Sequence, residues 1–179
     1  MFYVAFLRGI NVGGRFVKMD ALRAIFEAAG CSDVRTHIQS GNVFFTSRAS
    51  VKTLTPKIQL ALQKALGYEI AAFLFTLDEL KQIMDHNPFA KLKLKPEVRP
   101  TVMFLSKPLP KGTKLPIVGK DFEIIGLQPR AAYTLTGATN GRVGNPAAFL
   151  EKTYKVKVTA RWFHTTEKIY AAALAAARG

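Results

Sequence analysis

A chain of 179 residues with 49% hydrophobic and 21% charged side chains has the profile of a soluble globular protein, able to bury a core without a covalent staple. Its 26 lysines and arginines against 12 aspartates and glutamates leave a net charge of +14, so anionic partners are expected. A single cysteine excludes an intramolecular disulfide, no apolar run reaches the roughly 20 residues that span a bilayer, and the first residues have neither a basic n-region nor a small-residue cleavage site; a reducing cytoplasm and no membrane are expected.

FYVAFL (2–7) is a short apolar run ended by Gly9 and predicts a buried strand. MDALRAIFEAAG (19–30) places Leu22, Ile25, Phe26 and Ala29 on one helical stripe, with Gly30 at the C-terminal stop. DVRTHIQSGNVFFTS (33–47) alternates, with Val34, Thr36 and Ile38 facing one way and Arg35, His37 and Gln39 the other, and Ser40, Gly41 and Asn42 supplying a hairpin turn. SVKTLTPKIQLALQKALG (50–67) reads as a helix with Pro56 tolerable only near its first turn, and EIAAFLFTL (69–77) as a fourth strand. The order βαββαβ is that of a ferredoxin-like split βαβ unit.

A second pass of the same order follows. LDELKQIMDH (77–86) is a connecting helix and PTVMFLS (100–106) a strand. KPLPKGTKLPIVGK (107–120) stands where the next helix belongs, but its three prolines predict a loop or a degraded helix. DFEIIGL and AAYTLTG form a hairpin, NPAAFLEKTY (145–154) begins a helix with Asn at the cap and Pro at its first position, VKVTARWF is the last strand, and TTEKIYAAALAAAR is a closing helix. The expected fold is therefore α+β, two βαββαβ halves of antiparallel or mixed sheets with helices packed on them. Residues 1–77 form the first half, 78–99 a connecting helix and linker, and 100–179 a second half with the closing helix. The charge is uneven: residues 1–90 carry 10 basic and 7 acidic side chains (+3), residues 91–179 carry 16 and 5 (+11).

In a βαββαβ sheet of strand order 4132, the first and second strands run the same way. The loop after strand one, RGINVGGR, then lies beside the turn QSGN. Arg8, Gly9, Asn11, Gly13, Gly14, Arg15, Gln39, Ser40, Gly41 and Asn42 meet at one edge, with the N-terminal amides of the first helix, an arrangement that favours an anion. The other reading is a tight loop whose polar side chains satisfy it. Gly9 and Gly14 have P-loop spacing, but Arg15 and Phe16 replace Lys and Ser/Thr, and no GxGxxG occurs.

On the sheet itself, Phe2, Val4, Phe6, Val43 and Phe45 are expected to face the helices. Tyr3, Ala5, Leu7, Arg35, His37, Gln39, Asn42 and Phe44 then face away, either as an open face resembling RNA-recognition modules or as an apolar face covered by the second half. His37, His86 and His164 are scattered, no metal or cofactor motif is present, and no carboxylate pair has the spacing of an acid and a base. RWFHTTEK (161–168) is a second polar and aromatic cluster, in which Trp162 and Phe163 are expected in the core and Thr165 at the cap of the last helix.

YVAFLRGINVGGRFVKMDALR followed by VRTHIQSGNVFFTS resembles the bacterial domain-of-unknown-function family 1697, which opens with an apolar strand, R-G-I-N-V-G-G, a K-M-x-x-L-R helix start and I-Q-S-G-N-V-x-F. Near the end ARWFHTTEKI is similar to the family's R-N-W-N-T-V-x-K-L at Arg161, Thr165 and Lys168, with Trp162, Phe163 and His164 in place of Asn, Trp and Asn. The resemblance implies a bacterial cytoplasmic protein of duplicated α+β fold. It implies no activity and no cofactor. It singles out the glycine loop and the QSGN turn as a candidate site, with Arg161, Thr165 and Lys168 as a secondary one.

Three functions fit these residues. The first is a module binding a phosphate-bearing ligand, above all nucleic acid, through the loop edge and the basic second half. The second is a small enzyme acting on a nucleotide or phosphorylated metabolite at the edge of loop 8–15 and turn 39–42. The third is a scaffold for an acidic protein.

Overall fold

The structure, a computed structural model, describes residues 1–14, 16–38, 41–139 and 142–178, and only the backbone of Ala138, Thr139 and Arg142. The chain divides into two compact units, Met1–Lys81 with Lys168–Gly179, and Gln82–Glu167.

The first unit is built from β1 (Phe2–Arg8), α1 (Met19–Ala28), β2 (Ser32–His37), β3 (Asn42–Thr46), α2 (Val51–Leu66) and β4 (Ala71–Thr76). The strands pair antiparallel in the order β2-β3-β1-β4, which is the expected 4132 sheet read from its other side. Hydrophobic burial selects the helices: Leu22 and Phe26 of α1 and Leu54, Ile58 and Leu62 of α2 lie one turn apart on a single stripe and close on the sheet. Gly67 ends α2 in the left-handed conformation, its N–H bonded to Gln63 O. Pro56 lies in the second turn of α2 rather than the first, so the helix gives up the hydrogen bond that a residue there makes to Lys52.

The face assignment of β1 is the reverse of the sequence expectation. Tyr3 pairs with Phe45 and Ala5 with Val43, so Tyr3, Ala5 and Leu7 join Val43 and Phe45 under the helices. The rings of Tyr3 and Phe26 each lie 5.5 Å from that of Phe45. Because FYVAFL is apolar on both sides, period two carries no parity signal there. The other face holds Val4, Phe6, Phe44, Phe73 and Phe75, all buried, so it is not an open platform for bases. Ile38 does not share the Val34 face either: β2 ends at His37, and Ile38 is exposed.

From β4 the chain enters α3 (Leu77–His86) without a loop. The first turn is closed reciprocally: Thr76 N–H donates to Glu79 Oε2 at 2.8 Å and Glu79 N–H to Thr76 Oγ1 at 3.2 Å.

The second unit contains β5 (Arg99–Leu105), β6 (Ile117–Gly119), β7 (Phe122–Gln128), β8 (Ala131–Thr136), the short pair β9 (Ala138–Thr139) and β10 (Arg142–Val143), α4 (Pro146–Tyr154) and β11 (Val158–Trp162). Its sheet order is β11-β5-β8-β7-β6. The run β11-β5-β8-β7 repeats β4-β1-β3-β2, so the fold is duplicated. The first helix is missing, as the prolines require, and β6 occupies the edge instead. Asn145 caps α4, its Oδ1 accepting from Ala148 N–H at 2.9 Å. Met103, Leu105, Ile124, Ala132, Leu150 and Val158 form the core on the α4 side. On the other side the buried Tyr133 hydroxyl donates to Ile83 O at 2.6 Å, and Phe89 meets Tyr133 and Phe163 edge to face. Burial pushes the Tyr133 phenol well above its ordinary range.

The last helix, α5 (Phe163–Arg178), starts directly after β11. Thr165 is therefore inside its first turn and does not cap it, and it is Thr166 Oγ1 that donates back to Trp162 O at 3.0 Å. Among the described residues no helix is long and apolar enough to cross a membrane.

Candidate functional site

The loop after β1 and the turn between β2 and β3 meet, as the parallel course of β1 and β2 demands. Leu7 N–H donates to Gly41 O at 2.8 Å. A Cβ on Gly41 would lie 2.3 Å from Ile10 Cγ2 and 3.1 Å from Leu7 Cβ, and the residue has φ +72°. Only glycine fits this approach. Asn11, with φ 54°, accepts Val17 N–H on its Oδ1 at 2.8 Å and so closes loop 8–18 from within. Asn42 is fully buried, and its Nδ2 donates to His37 O at 3.1 Å, closing the turn. These two side chains serve the backbone of the edge itself. Arg8, Gly13 and Gly14 are exposed and Gly9 is half-buried. Arg15, Gln39 and Ser40 lie outside the described residues. The first helix that follows is capped at Lys18 without a side-chain bond, and Asp20 in its first turn pairs with Arg23.

Val12, Phe16 and Ile38 are exposed by 57%, 68% and 51%, so the glycine edge carries apolar side chains into solvent. Ile38 also has φ 57°, the left-handed region that a β-branched residue avoids. Holding it there costs about 1–2 kcal/mol. Ile38→Asn, which tolerates that conformation and loses no buried contact, is expected to raise stability by about 1 kcal/mol. In a thermal unfolding scan this is a rise of about 2–4 °C. A lower melting point would instead assign the isoleucine side chain a stabilising contact.

The second unit presents a different surface. Lys91, Lys93, Lys95, Lys107, Lys111, Lys114, Lys120, Lys152 and Lys155 are exposed and make no ion pair among the described residues. Counted by compact units, the contrast of charge is smaller than by halves of the sequence: 14 basic and 6 acidic side chains give +8 in residues 82–167, and 12 and 6 give +6 in the remainder. Exposed cations without an ion pair are not confined to it: among the described residues Lys18, Arg35, Arg48, Lys52, Lys57, Lys64, Lys168 and Arg178 of the first unit are in the same state, so the second unit differs by its lysine content and its higher net charge.

Trp162 departs from its expected place. Phe163 is in the core, but Trp162 is 54% exposed, its ring 5.6 Å from that of His164. Alternation along β11 turns Val158 to the α4 core and sets Trp162 on the same face four residues further along the strand, outside that core. Arg161, on the opposite face of the strand, is half-buried and donates to Thr159 Oγ1 and Ala160 O. Burial lowers its guanidinium to about 10, so it remains charged at neutral pH. Thr165 contacts His164 Nε2 at 3.4 Å, and Lys168 is exposed on α5.

The surface among the described residues also has clefts. One of about 650 Å³, lined by Met1, Gly30, Ser32, Thr46, Ser47, Arg48 and Ala49, opens at the end of the first sheet remote from the glycine edge. One of about 380 Å³ lies beside Lys93 and Lys95, with Leu94, Val98, Phe122 and Leu135 as its apolar wall and Asp121 and Glu123 at its rim. Among the described residues no three of His, Cys, Asp and Glu gather as metal ligands. Cys31 is buried, and desolvation pushes its thiol up to about 11, with Lys57 partly opposing; it is protonated and unreactive at neutral pH.

A duplicated ferredoxin-like α+β protein with a glycine-built edge and a cationic second unit is thus the class that fold and surface define. The chain belongs to the family described as proteins of unknown function, DUF1697, whose model matches residues 1–127. Among solved structures it is similar to the conserved bacterial protein SP0830 from Streptococcus pneumoniae, at 22% identity, over 96% of this chain and 97% of that one, with a TM-score of 0.67. That likeness concerns the fold. No curated protein matches the chain.

Proposed function

We propose that this is a cytoplasmic bacterial protein that binds a phosphate-bearing polymer, nucleic acid in the first place, through the surface of its second unit. The observation that carries the reading is the set of nine exposed lysines without ion pairs. A lysine paired to a carboxylate must break that pair to reach a phosphate. A lysine with no partner gives up only its water and its counterions, and each counterion released favours binding.

The test is titration of a fluorescently labelled oligonucleotide at several salt concentrations. The affinity is expected to fall linearly in logarithmic coordinates, with a slope of about 0.7 per phosphate contacted on a single strand and about 0.9 on a duplex. Binding that ignores salt, or no binding to DNA or RNA of any form, sinks the proposal.

A second reading is favoured by the strained, exposed Ile38 in the turn and the exposed Val12, Phe16 and Arg8 in the loop that meets it: a small phosphorylated ligand with an apolar part, held at the glycine edge. It predicts a thermal shift with one nucleotide or sugar phosphate that disappears in Arg8→Ala, independent of oligonucleotide binding.

A further inference from the structure

Trp162 is where the cationic surface acquires a chemistry beyond charge. β11 is the edge strand of the five-stranded sheet, so one flank of Trp162 meets no neighbouring strand. Trp162 stands opposite Thr101 in β5. By the alternation of strands, Arg99 points to the same face two residues away from Thr101, diagonal to the indole. Arg99 is exposed, its guanidinium donates to Pro96 O, and it lies four residues after Lys95. On the other side along β11 the same face offers Ala160, exposed and small, so the indole face is not obstructed from there. His164, with its ring 5.6 Å away and tilted by 37°, extends the aromatic surface. The backbone under the indole is fixed, because Trp162 O accepts the Thr166 hydroxyl at the start of α5.

Toward α4 this face is closed: Val158 and Met103 are buried in its core. The hydrophobic effect that buries those side chains leaves the largest apolar side chain on the face in water. An indole so placed, on a unit that also carries exposed lysines without ion pairs, matches a planar ligand attached to a polyanion. We infer that Trp162, supported by His164 and Arg99, is a stacking platform for an unpaired base, and that the second unit prefers single-stranded nucleic acid. This rests on the polyanion reading above and goes further than it. Cations alone do not distinguish a single strand from a duplex, or nucleic acid from polyphosphate, whereas an aromatic face requires a base that has left its own stack.

Trp162 is the only tryptophan in the chain, so intrinsic fluorescence reports on this site alone. The full-length protein is titrated with oligo(dT), with an oligonucleotide duplex and with inorganic polyphosphate, while anisotropy of the labelled ligands records binding separately. Quenching of the tryptophan is expected with oligo(dT) and absent with polyphosphate, although all three bind. Trp162→Ala is expected to weaken oligo(dT) by about 5- to 100-fold and leave polyphosphate unchanged, and Trp162→Phe to restore part of the loss. Circular dichroism and melting of both variants control for folding, and Trp162→Phe keeps the test sound should the alanine variant be unstable. Oligo(dT) binding seen by anisotropy without quenching, or an alanine variant that binds oligo(dT) like the wild type, overturns the stacking platform and leaves the polyanion surface standing. No binding of any oligonucleotide by either readout removes both. Equal quenching by duplex overturns the single-strand preference.

Discussion

Gly41→Ala is expected to lower the melting temperature by about 4–16 °C, the largest effect of any single methyl group added at the glycine edge. Two costs add. The residue has φ +72°, where alanine loses about 1 kcal/mol relative to glycine. The new Cβ would also stand 2.3 Å from Ile10 Cγ2. Ile10 is buried and β-branched, held with Leu7 and Val17 in the core under the helices, so it has no free rotamer to withdraw into. Overpacking of this kind costs about 1–3 kcal/mol more. Gly13→Ala separates the terms, because Gly13 has φ +61° but nothing within 4 Å of its Cβ position. It is expected to show the backbone cost alone, about 1 kcal/mol. Equal melting points for the two variants would mean that loop and turn do not press together.

That loop 8–18 and turn 38–41 share one end of the sheet follows from the order βαββαβ, and the bond from Leu7 N–H to Gly41 O bears it out. The pressing of Gly41 on Ile10 is a tertiary contact between residues 31 positions apart, and no local pattern encodes it. The parity of β1 was illegible for another reason. FYVAFL is apolar at every position, and only the pairing of Tyr3 with Phe45 decides which side meets α1 and α2. In the second unit, the caps written in short motifs were readable: Asn145–Pro146 opens α4 as its residue types require. The exposure of Trp162 was not, because it depends on the place of β11 at the edge of the sheet, a tertiary arrangement that no local pattern encodes. The place of Thr165 failed on a boundary: β11 runs into α5 without a loop, so the helix starts two residues before the threonine that looked like its cap.

Replacing Lys91, Lys93 and Lys95 together with alanine is expected to weaken single-stranded oligonucleotide binding by about 100-fold or more at 50 mM salt. These three cations lie within five residues, ahead of Arg99, and make no ion pair among the described residues. If each meets one phosphate, their loss shallows the salt slope by about 2. The defect is then largest at low salt and shrinks as salt rises, which a change in the shape of the site does not imitate. Stability is expected to hold within about 0.5 kcal/mol, since all three are exposed. The same substitutions also discriminate between the two kinds of contact. Phosphate contacts govern the slope and stacking does not, so the triple variant is expected to keep full quenching of Trp162 at saturation while Trp162→Ala keeps the wild-type slope. A triple variant with unchanged affinity and slope would move the phosphate track away from this segment, toward Lys107, Lys111 and Lys114 or toward Lys152 and Lys155. A loss of affinity with no change of slope would assign the three lysines to the geometry of the segment before β5 rather than to the anion.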